Sequence, residues 1–481
     1  MVRAGNAKEK TGFQPFLPGY VLFFKRSKPM RIILVGCGKI GVALISALVA
    51  EGHDVVAMDS RSTVLDELTN QYDVMCMVGN GADCEALQAA GVDRTDLFIA
   101  VTGSDELNML MCFLAKRQGA GHTIARIRNP QYNDKSLSFL RQQLGLSMSV
   151  NPELLTAQEL HHILKLPAAS KVETFSRRNF EMVELRLKED SPLVGGRLMD
   201  LRERFRARFL ICVVQRGAEV IIPRGDFTLQ AGDRIGLTAD RVELWKLLKA
   251  AGLARKQARN VMLLGGSRIA YYLSKMLLSS GSNVNLIDTD RAVCHKFSDM
   301  LPAISTYCGD GTHPELLQEA GLHNQDAFVC LTGMDEENIL VAYYAKAQRV
   351  GQVIAKVNHD EMARMAEQMG LEIVISPKDV VVNVVIRYAR ALQSSIGSSI
   401  ENLYQLMDGK AEALEFIVSE EADFTDIPLK ELELKKNILI GGILRDRKAI
   451  IPDGDDVILP GDRVVVIAGQ HRLNALGEIL Q

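Results

Sequence analysis

The fold is decided by the glycine-rich stretch Gly36-Cys37-Gly38-Lys39-Ile40-Gly41, which directly follows the apolar run Arg31-Ile32-Ile33-Leu34-Val35. A run of helical length and composition, from Val42 to Leu48, comes next. A Gly-x-Gly-x-x-Gly pattern between a buried-type strand and a helix is typical of a dinucleotide-binding Rossmann fold. The sequence therefore predicts a nucleotide site at this turn.

Each glycine of the stretch has its own expected role. Gly36 permits the tight turn, Gly38 lets the backbone approach a pyrophosphate, and Gly41 lets the helix pack closely on the strand. The phosphates would lie at the helix N-terminus, where unpaired N–H groups favour anions. Asp59 follows 23 residues after Gly36 and ends the predicted second strand. Its carboxylate would bind ribose hydroxyls, which favours adenosine or NAD over NADP; the alternative is that it caps the next helix.

Later segments supply further candidate contacts. Thr102 and Gly103 follow a predicted strand, and an open α/β sheet places its ligand contacts at the carboxyl ends of its strands. Asp105 and Asn108 are expected to cap and open the next helix. Arg126 could either reach a phosphate or form a surface ion pair, and the sequence leaves both open.

The same pattern occurs a second time in the chain. Gly265-Gly266-Ser267-Arg268-Ile269-Ala270 also follows an apolar run, and Asp288 lies 23 residues after Gly265. Matching segments, such as 101–108 and 331–338, keep an offset of 229 or 230 residues. A period this long indicates a duplicated domain, because solenoid repeats run at about 20–50 residues.

The second glycine loop departs from the pattern. Alanine at the third position, Ala270, is tolerated. Ser267 adds a Cβ and a hydroxyl where the backbone would meet a phosphate, so a ligand must lie farther out or use the hydroxyl. Arg268 adds a positive charge beside the loop. We therefore expect the second site to bind a nucleotide more weakly, or to bind a different one.

A smaller module follows each glycine-loop lobe. In both copies, Pro-x-Gly and Gly-Asp turns separate short β-branched runs, which indicates strands joined by turns. The predicted fold is α/β, with two tandem Rossmann-like parallel-sheet lobes, each followed by a small α/β lobe. The predicted limits are 30–150 and 258–376 for the Rossmann lobes and 170–255 and 399–481 for the small lobes. Residues 1–29 are expected to be a leader or tail outside the fold, with Met30 as the functional start.

Composition narrows the function classes. A formal net charge of −3 over 481 residues argues against a general nucleic-acid binder. The eight cysteines include no Cys-x-x-Cys pair, which fits a reducing cytosol. The histidines do not cluster as metal ligands, and no apolar stretch approaches the roughly 18–20 residues that span a bilayer. We expect no metal site, no nucleic-acid partner and no direct membrane insertion.

Taken together, these motifs resemble the TrkA family of potassium-uptake regulatory proteins, which contain two tandem RCK (regulator of K⁺ conductance) units. Each unit has a Rossmann N-lobe and a small α/β C-lobe. The resemblance rests on residues 30–38, on the paired Thr-Gly-x-Asp-Glu-x-Asn segments and on the Gly-Asp-Arg signatures at 232–234 and 461–463. It covers essentially all of the chain from Met30 onward.

The resemblance implies a cytoplasmic regulatory subunit, peripheral on the inner face of the cell membrane. It would assemble as a homo-oligomeric, tetrameric ring under a Trk-type membrane potassium channel. NAD(H), ATP or ADP would change the shape of the ring and hence conduction. By matching position, the first site would comprise Gly36, Cys37, Gly38, Lys39, Ile40, Asp59, Thr102, Gly103 and Arg126. The second would comprise Gly265, Gly266, Ser267, Arg268, Ile269, Asp288 and Thr332.

Two other functions stay open from the sequence. One is a regulator of potassium efflux or of another transporter, which only the identity of the partner separates from uptake. The other is an NAD-dependent oxidoreductase, which needs an acid or base close to the nicotinamide. The module after each Rossmann lobe offers no such His or Tyr/Lys constellation, so we expect no catalytic residue and no enzyme activity.

Overall fold

The computed structural model describes residues 29–481 except 133, 166–170, 176–179, 254–256, 395–399, 408, 419–421, 423, 447, 470–472 and 474. The predicted leader, residues 1–29, lies outside the described residues except for Pro29. In the part of the chain that is described, no helix combines the length and the apolar character needed to cross a bilayer.

The first Rossmann lobe contains a six-stranded parallel sheet in the order β3-β2-β1-β4-β5-β6. This is the doubly wound order of dinucleotide-binding folds, and its central strands are apolar because helices cover both faces. The elements are β1 (Arg31–Val35), α1 (Lys39–Ala50), β2 (Asp54–Asp59), α2 (Ser62–Gln71), β3 (Met75–Val78), α3 (Cys84–Ala89), β4 (Leu97–Ala100), α4 (Asp105–Arg117), β5 (His122–Arg126), α5 (Asp134–Leu144) and β6 (Met148–Val150).

A helix, α6 (Pro152–Lys165), leads from this lobe to the first C-lobe. The C-lobe contains a five-stranded antiparallel sheet in the order β10-β9-β11-β8-β7 with two helices. Its elements are β7 (Lys171–Phe175), β8 (Phe180–Arg186), α7 (Leu198–Phe205), β9 (Phe209–Arg216), β10 (Glu219–Ile221), β11 (Arg234–Asp240) and α8 (Arg241–Ala250).

The second Rossmann lobe repeats the first, with the sheet order β14-β13-β12-β15-β16-β17. Its elements are β12 (Asn260–Leu264), α9 (Arg268–Ser279), β13 (Asn283–Asp288), α10 (Arg291–Met300), β14 (Ser305–Cys308), α11 (Pro314–Glu319), β15 (Ala327–Cys330), α12 (Asp335–Ala347), β16 (Gln352–Lys356), α13 (Asp360–Gln368) and β17 (Ile373–Ile375).

A long helix, α14 (Pro377–Ser394), joins this lobe to the second C-lobe, whose sheet has the order β18-β19-β22-β20-β21. The strands are β18 (Ile400–Leu406), β19 (Ala411–Ile417), β20 (Ile438–Arg445), β21 (Lys448–Ile450) and β22 (Arg463–Gly469). The predicted α/β fold with two Rossmann-like lobes is confirmed. The exact domain limits stay predictions, although all four sheets lie inside the predicted ranges.

The two halves exchange helices. On α6, Leu160 and Ile163 belong to the core of the second Rossmann lobe, together with Leu273. On α14, Val385 and Ile386 belong to the core of the first. The sequence interpretation left both segments between domains, and the structure gives each a face that completes the core of the opposite lobe.

The two C-lobes also share one core. Phe180 of β8 packs in the same cluster as Tyr404 of β18. A Cβ placed on Gly442 would lie 2.2 Å from the ring of Phe180, so glycine is required for this close approach. The Thr238 hydroxyl donates a hydrogen bond to the carbonyl of Gly441 at 2.7 Å. The four lobes are therefore joined by shared hydrophobic cores and hydrogen bonds into one unit.

Candidate nucleotide-binding sites

The first glycine loop is shaped by its own packing. Gly36 has a φ of +100°, and a Cβ there would lie 2.8 Å from the Thr102 amide nitrogen. A Cβ on Gly41 would lie 2.0 Å from the Gly36 carbonyl oxygen. Around Gly38, by contrast, no described atom lies within 4 Å of where a Cβ would be. The fold itself needs Gly36 and Gly41, whereas Gly38 leaves open space for a ligand.

The same loop exposes the N-terminus of α1. Gly38 is the N-cap residue, and no side chain caps the helix. The first-turn amides of a helix have no partner within the helix, and they carry its positive partial charge. They lie beside the open space at Gly38, which is the arrangement that binds phosphate groups.

Asp59 holds the glycine loop in place. One carboxylate oxygen accepts a hydrogen bond from the Cys37 amide at 2.8 Å, and the other accepts from the Arg61 amide at 3.0 Å. Burial alone would raise the pKa of Asp59, but hydrogen bonds from the Arg61 side chain and from these two amides lower it, so the carboxylate is ionised.

The helix-capping alternative for Asp59 is not supported, because the N-cap of α2 is Arg61 and no side chain caps that helix. Cys37 bonds to Asp59 through its backbone amide and not through its thiol. Its thiol is buried, and burial raises its pKa to about 12.

Asn108 fastens the ends of β4 and β5 together. Its side-chain oxygen accepts from the Thr102 amide at 2.9 Å, and its side-chain nitrogen donates to the Arg126 carbonyl at 2.9 Å. In the second lobe Asn338 makes the same bonds to Thr332 and Lys356. The sequence held one sign of this role: an asparagine ends both copies of the Thr-Gly-x-Asp-Glu-x-Asn segment. A helix-capping role does not require an asparagine there.

The capping role expected of Asp105 and Asn108 is wrong. The N-cap of α4 is Ser104, whose hydroxyl accepts from the Leu107 amide at 3.2 Å. Asp105 instead accepts from the backbone amides of Arg128 and Asn129 at 2.8 and 2.7 Å. Both polar residues therefore shape the edge of the sheet where Thr102, Gly103 and Arg126 lie.

Arg126 carries a half-buried positive charge beside this edge. Its guanidinium donates to the Thr102 carbonyl, while Nε has no hydrogen-bond partner in the described chain. Burial lowers its pKa, as do the nearby charges of Arg128 and Arg268, whereas the charges of Glu153 and Asp105 act in the opposite direction. No described carboxylate lies within ion-pair distance of it; the ion pairs with Asp105 and Glu153 belong to Arg128. The ion-pair alternative for Arg126 is therefore wrong.

The second loop satisfies its own donors. The Ser267 amide donates to the Gly265 carbonyl at 2.9 Å, and the Ser267 hydroxyl accepts from the Ala270 amide at 3.3 Å. Asp288 accepts from the Gly266 amide at 2.6 Å, as Asp59 does from Cys37. The serine thus caps α9 from within, where the first loop keeps its helix N-terminus open. Ile269 is buried in the core of the lobe.

The second site is also more acidic. Burial raises the pKa of Glu337, and the charges of Asp310 and Asp288 raise it further. The Thr332 hydroxyl lies 3.5 Å from the Glu337 carboxylate. The first lobe has the uncharged residues Asn80 and Leu107 at the positions of Asp310 and Glu337. The two sites therefore differ in charge as well as in loop geometry.

The two sites lie close to each other across the lobes. The charge of Lys39, on the first loop, lowers the pKa of Lys356 at the end of β16. The charge of Arg268, on the second loop, acts in the same way on Arg126. The side chain of Asn151 donates to the Tyr272 hydroxyl at 3.2 Å and joins the lobes directly. The sequence assigned Lys39 and Arg268 to their own loops only and missed this proximity.

Comparison with known proteins identifies the family. The TrkA-N domain model matches residues 32–152 and 261–377, and the TrkA-C domain model matches residues 182–252 and 413–481. The chain belongs to the TrkA family. This confirms the tandem N-lobe and C-lobe organisation that the sequence motifs indicated.

Relatives within this family match over nearly the full length. The Trk system potassium uptake protein TrkA homolog of Archaeoglobus fulgidus is 32% identical over 452 residues, which are 94% of this chain and 100% of that protein. The Trk system potassium uptake protein TrkA of Vibrio alginolyticus is 27% identical over 448 residues, 92% of this chain and 94% of that protein.

Solved structures show the same fold. The crystal structure of the GsuK RCK domain aligns with a TM-score of 0.60 at 18% identity and covers 96% of both chains. The GsuK channel bound to NAD aligns with a TM-score of 0.60 at 18% identity, over 92% of this chain and 77% of that one. The RCK-type architecture expected from the sequence is thereby confirmed.

Proposed function

We propose that this protein is the nucleotide-binding regulatory subunit of a Trk-type membrane potassium uptake channel. The observation that carries the proposal is the first glycine loop, where the helix N-terminus has no side-chain cap and the Nε of the half-buried Arg126 has no hydrogen-bond partner in the described chain. Burying a positive charge costs free energy unless an anion compensates it. In a chain whose relatives are named for potassium uptake, the fitting anion is a nucleotide that reports the energy state of the cell.

The residues present fit NAD(H), ATP or ADP. The open space at Gly38 and the α1 amides would hold the phosphates, with Arg126 as a second phosphate contact. The ionised Asp59 would accept hydrogen bonds from the ribose hydroxyls. Thr102 and Gly103 border the same space. The NAD-bound GsuK channel, which shares the fold, supports the choice of an adenine dinucleotide.

The second site binds more weakly in this proposal. The amides of Gly266, Ser267 and Ala270 already have partners, and two further carboxylates, Asp310 and Glu337, lie near Asp288. Gly265, Gly266, Ser267, Asp288 and Thr332 keep the geometry of a nucleotide loop, so a nucleotide with fewer phosphate charges suits it best. Lys39 and Arg268 would be the basic residues that reach toward the ligand of the opposite lobe, since their charges act on Lys356 and Arg126 there.

Exposed apolar residues support a ring of several chains. Leu110 on α4 is 47% exposed, and Phe139 on the neighbouring helix α5 is 62% exposed. At the matching place in the second lobe, Leu340 on α12 is 68% exposed and Met369 after α13 is 60% exposed. A face repeated in both lobes suits a closed homo-oligomer, and we propose a tetrameric ring bound to the cytoplasmic side of its channel.

The ring would respond to nucleotides by a shift between two conformations. A ligand moves such an equilibrium only by its difference in affinity for the two states, and coupling of about 1–3 kcal/mol per site is typical. The helix that begins at the first loop, α1, ends at Ala50, and its C-cap residue Glu51 pairs with Arg390. Arg390 also pairs with Glu412 of the second C-lobe. This buried contact connects the first site physically to the C-lobes.

The test is reconstitution with a Trk-type channel and measurement of potassium flux as ATP, ADP or NADH is added. We expect Asp59→Ala to abolish the response that comes from the first site, and Asp288→Ala to change it much less. An unchanged ligand titration in Asp59→Ala would contradict the assignment of Asp59. A response only with an efflux system, or hydride transfer by the purified protein with NAD⁺ and candidate substrates, would replace the proposed function.

A further inference from the structure

Two cysteines lie side by side at the edge of the second Rossmann lobe. The thiol of Cys294, on α10, donates to the Asp288 carbonyl at 3.6 Å. The thiol of Cys308, at the end of β14, donates to the Thr289 carbonyl at 3.8 Å. The two sulfurs therefore contact consecutive carbonyls at the end of β13, and Cys308 is one of the groups that raise the pKa of Cys294.

The two thiols differ in accessibility. Cys308 is exposed, whereas Cys294 is 5% exposed, and burial is the main reason that its pKa is raised to about 11. An oxidant in solution would reach Cys308 first, and Cys294 would be the second thiol that closes the bond. Cys84, the other exposed cysteine of the chain, lies on α3 in the first lobe and offers a comparison.

The first lobe shows that the fold does not need this pair. The sheet register places Val78 beside Asp59 in the first lobe and Cys308 beside Asp288 in the second. Leu65 lies six residues after Asp59, as Cys294 lies six residues after Asp288. In the first lobe, the apolar residues Leu65 and Val78 hold the positions that the two thiols have in the second lobe.

We propose that Cys294 and Cys308 are an oxidation site, at which a reversible disulfide forms and lowers the nucleotide affinity of the second lobe. The effect on affinity rests on the proposed function, whereas formation of the disulfide does not. Transient disulfides of this kind are the form in which cytosolic proteins use thiol oxidation.

The oxidant in this proposal is hydrogen peroxide. The Cys308 thiol loses its proton to water, and the thiolate attacks one peroxide oxygen. The O–O bond breaks, and the hydroxide that leaves takes up that proton, so a sulfenic acid and water result. The Cys294 thiol then attacks the Cys308 sulfur, the S–O bond breaks, and a second water leaves as the S–S bond forms. The two thiols supply the two electrons that reduce the peroxide, and a dithiol reductant reverses the reaction by exchange.

The disulfide would disturb the segment that carries Asp288. Both S–H donors are lost, so the Asp288 and Thr289 carbonyls each lose one hydrogen bond, and the Asp288 carbonyl keeps the bond from the Gly309 amide at 2.9 Å. Val293, next to Cys294, packs so closely on the glycine loop that a Cβ on Gly266 would lie 2.3 Å from it. A shift of α10 toward β14 therefore reaches both the ribose carboxylate and the loop.

The first experiment maps the bond in the full-length protein. The protein is treated with hydrogen peroxide, free thiols are alkylated, and peptides are identified by mass spectrometry without reductant. We expect a peptide pair joining Cys294 to Cys308, which dithiothreitol separates, and no internal disulfide at Cys84. Recovery of Cys308 only as sulfinic or sulfonic acid, with Cys294 alkylated, would overturn the proposal.

The second experiment measures ADP affinity at the second site in a Gly38→Val background, which silences the first site. We expect peroxide to weaken ADP binding by about fivefold or more, the lower end of usual coupling, and dithiothreitol to restore it. The double variant Cys294→Leu with Cys308→Val copies the first-lobe pair, so it should bind ADP as the reduced protein does and ignore peroxide.

The outcomes separate the two proposals. A mapped disulfide with unchanged ADP affinity would overturn the regulatory half of the inference. If the reduced protein binds no ADP at this site, the proposed function of the second site fails and the regulatory half fails with it, while the peptide map still decides whether the oxidation site exists.

Discussion

The two Rossmann lobes share every strand position and differ at the place where a ligand would bind. Gly38 leaves open space and an uncapped helix, whereas Ser267 caps its helix with its own hydroxyl. The comparison teaches that duplication kept the scaffold, which depends on apolar strands, while the loop chemistry diverged at single positions. A serine that improves the helix N-terminus competes with the phosphate for the same amides.

The two candidate sites also differ in the charged residues around them. The first site has Arg61 paired with Asp59 and a half-buried Arg126. The second site has Asp310 and Glu337 close to Asp288. An anionic ligand is therefore attracted to the first site and repelled by the second, and the strength of that contrast can be measured.

The largest loss of stability is expected where the helices α14 and α6 bond to the opposite Rossmann lobe. Arg390 of α14 is buried and binds both Glu51 and Glu412 through paired hydrogen bonds. Arg390→Leu should lower the free energy of unfolding by about 3–5 kcal/mol, because it removes the buried cation from two partly buried carboxylates.

The matching attachment in the other half is a hydrogen bond of 2.9 Å between His161 of α6 and Ser280. Burial lowers the pKa of His161 to about 4, so it is neutral at pH 7. His161→Leu should cost only about 1 kcal/mol. Denaturant unfolding of both variants checks this, and equal losses would show that the two attachments are equivalent.

The next effect is expected at the packing glycine of the first loop. Gly41→Ala places a Cβ 2.0 Å from the Gly36 carbonyl in the present backbone, so α1 must move away from β1. We expect a loss of about 1–3 kcal/mol in unfolding free energy, as for other overpacked sites. Gly38→Ala is the control, since it meets no described atom within 4 Å. Identical melting temperatures for the two variants would contradict the packing role of Gly41.

An exchange of the second loop position tests the contrast in binding directly. Gly38→Ser should reproduce the internal cap and weaken NADH or ADP binding at the first site by about tenfold, which is about 1.4 kcal/mol. Ser267→Gly should cost only a few tenths of a kcal/mol in stability and should strengthen the second site. Calorimetric titration measures both, and a first site that is unaffected by Gly38→Ser would show that the cap does not explain the difference.

The smallest expected effect is a pH dependence of ADP affinity, which should be larger at the second site than at the first. The raised pKa of Glu337 means that this carboxyl takes up a proton at a higher pH than an ordinary glutamate. As the pH falls through that pKa, the repulsion of phosphates decreases, and ADP affinity at the second site should rise a few-fold, or about 0.5–1 kcal/mol. The first site should respond less, because it has Leu107 there and the pKa of Asp59 is lowered. Glu337→Gln should remove the effect, and a pH response that persists in this variant would assign it to another group.

The sequence predicted the parts of the site that depend on local geometry. A strand, a glycine turn, a helix and a carboxylate 23 residues later are enough to place Gly36, Gly38 and Asp59 in one loop region. The capping roles given to Asp105 and Asn108 were wrong, because Ser104 already caps α4 and the two side chains bond to segments that are distant in the chain. The sequence also could not predict whether Arg126 forms an ion pair, since that depends on which carboxylates the fold brings near it.

By itself, the sequence determined the duplication, the Rossmann lobes, the family and the loss of the central glycine at Ser267, because these follow from local pattern and periodicity. Only the tertiary structure decided that α6 and α14 each complete the opposite lobe, that Lys39 and Arg268 lie near the opposite site, and that Cys294 and Cys308 contact consecutive carbonyls. These contacts join residues far apart in the chain, and their energies depend on burial and on charge separation that no local pattern encodes.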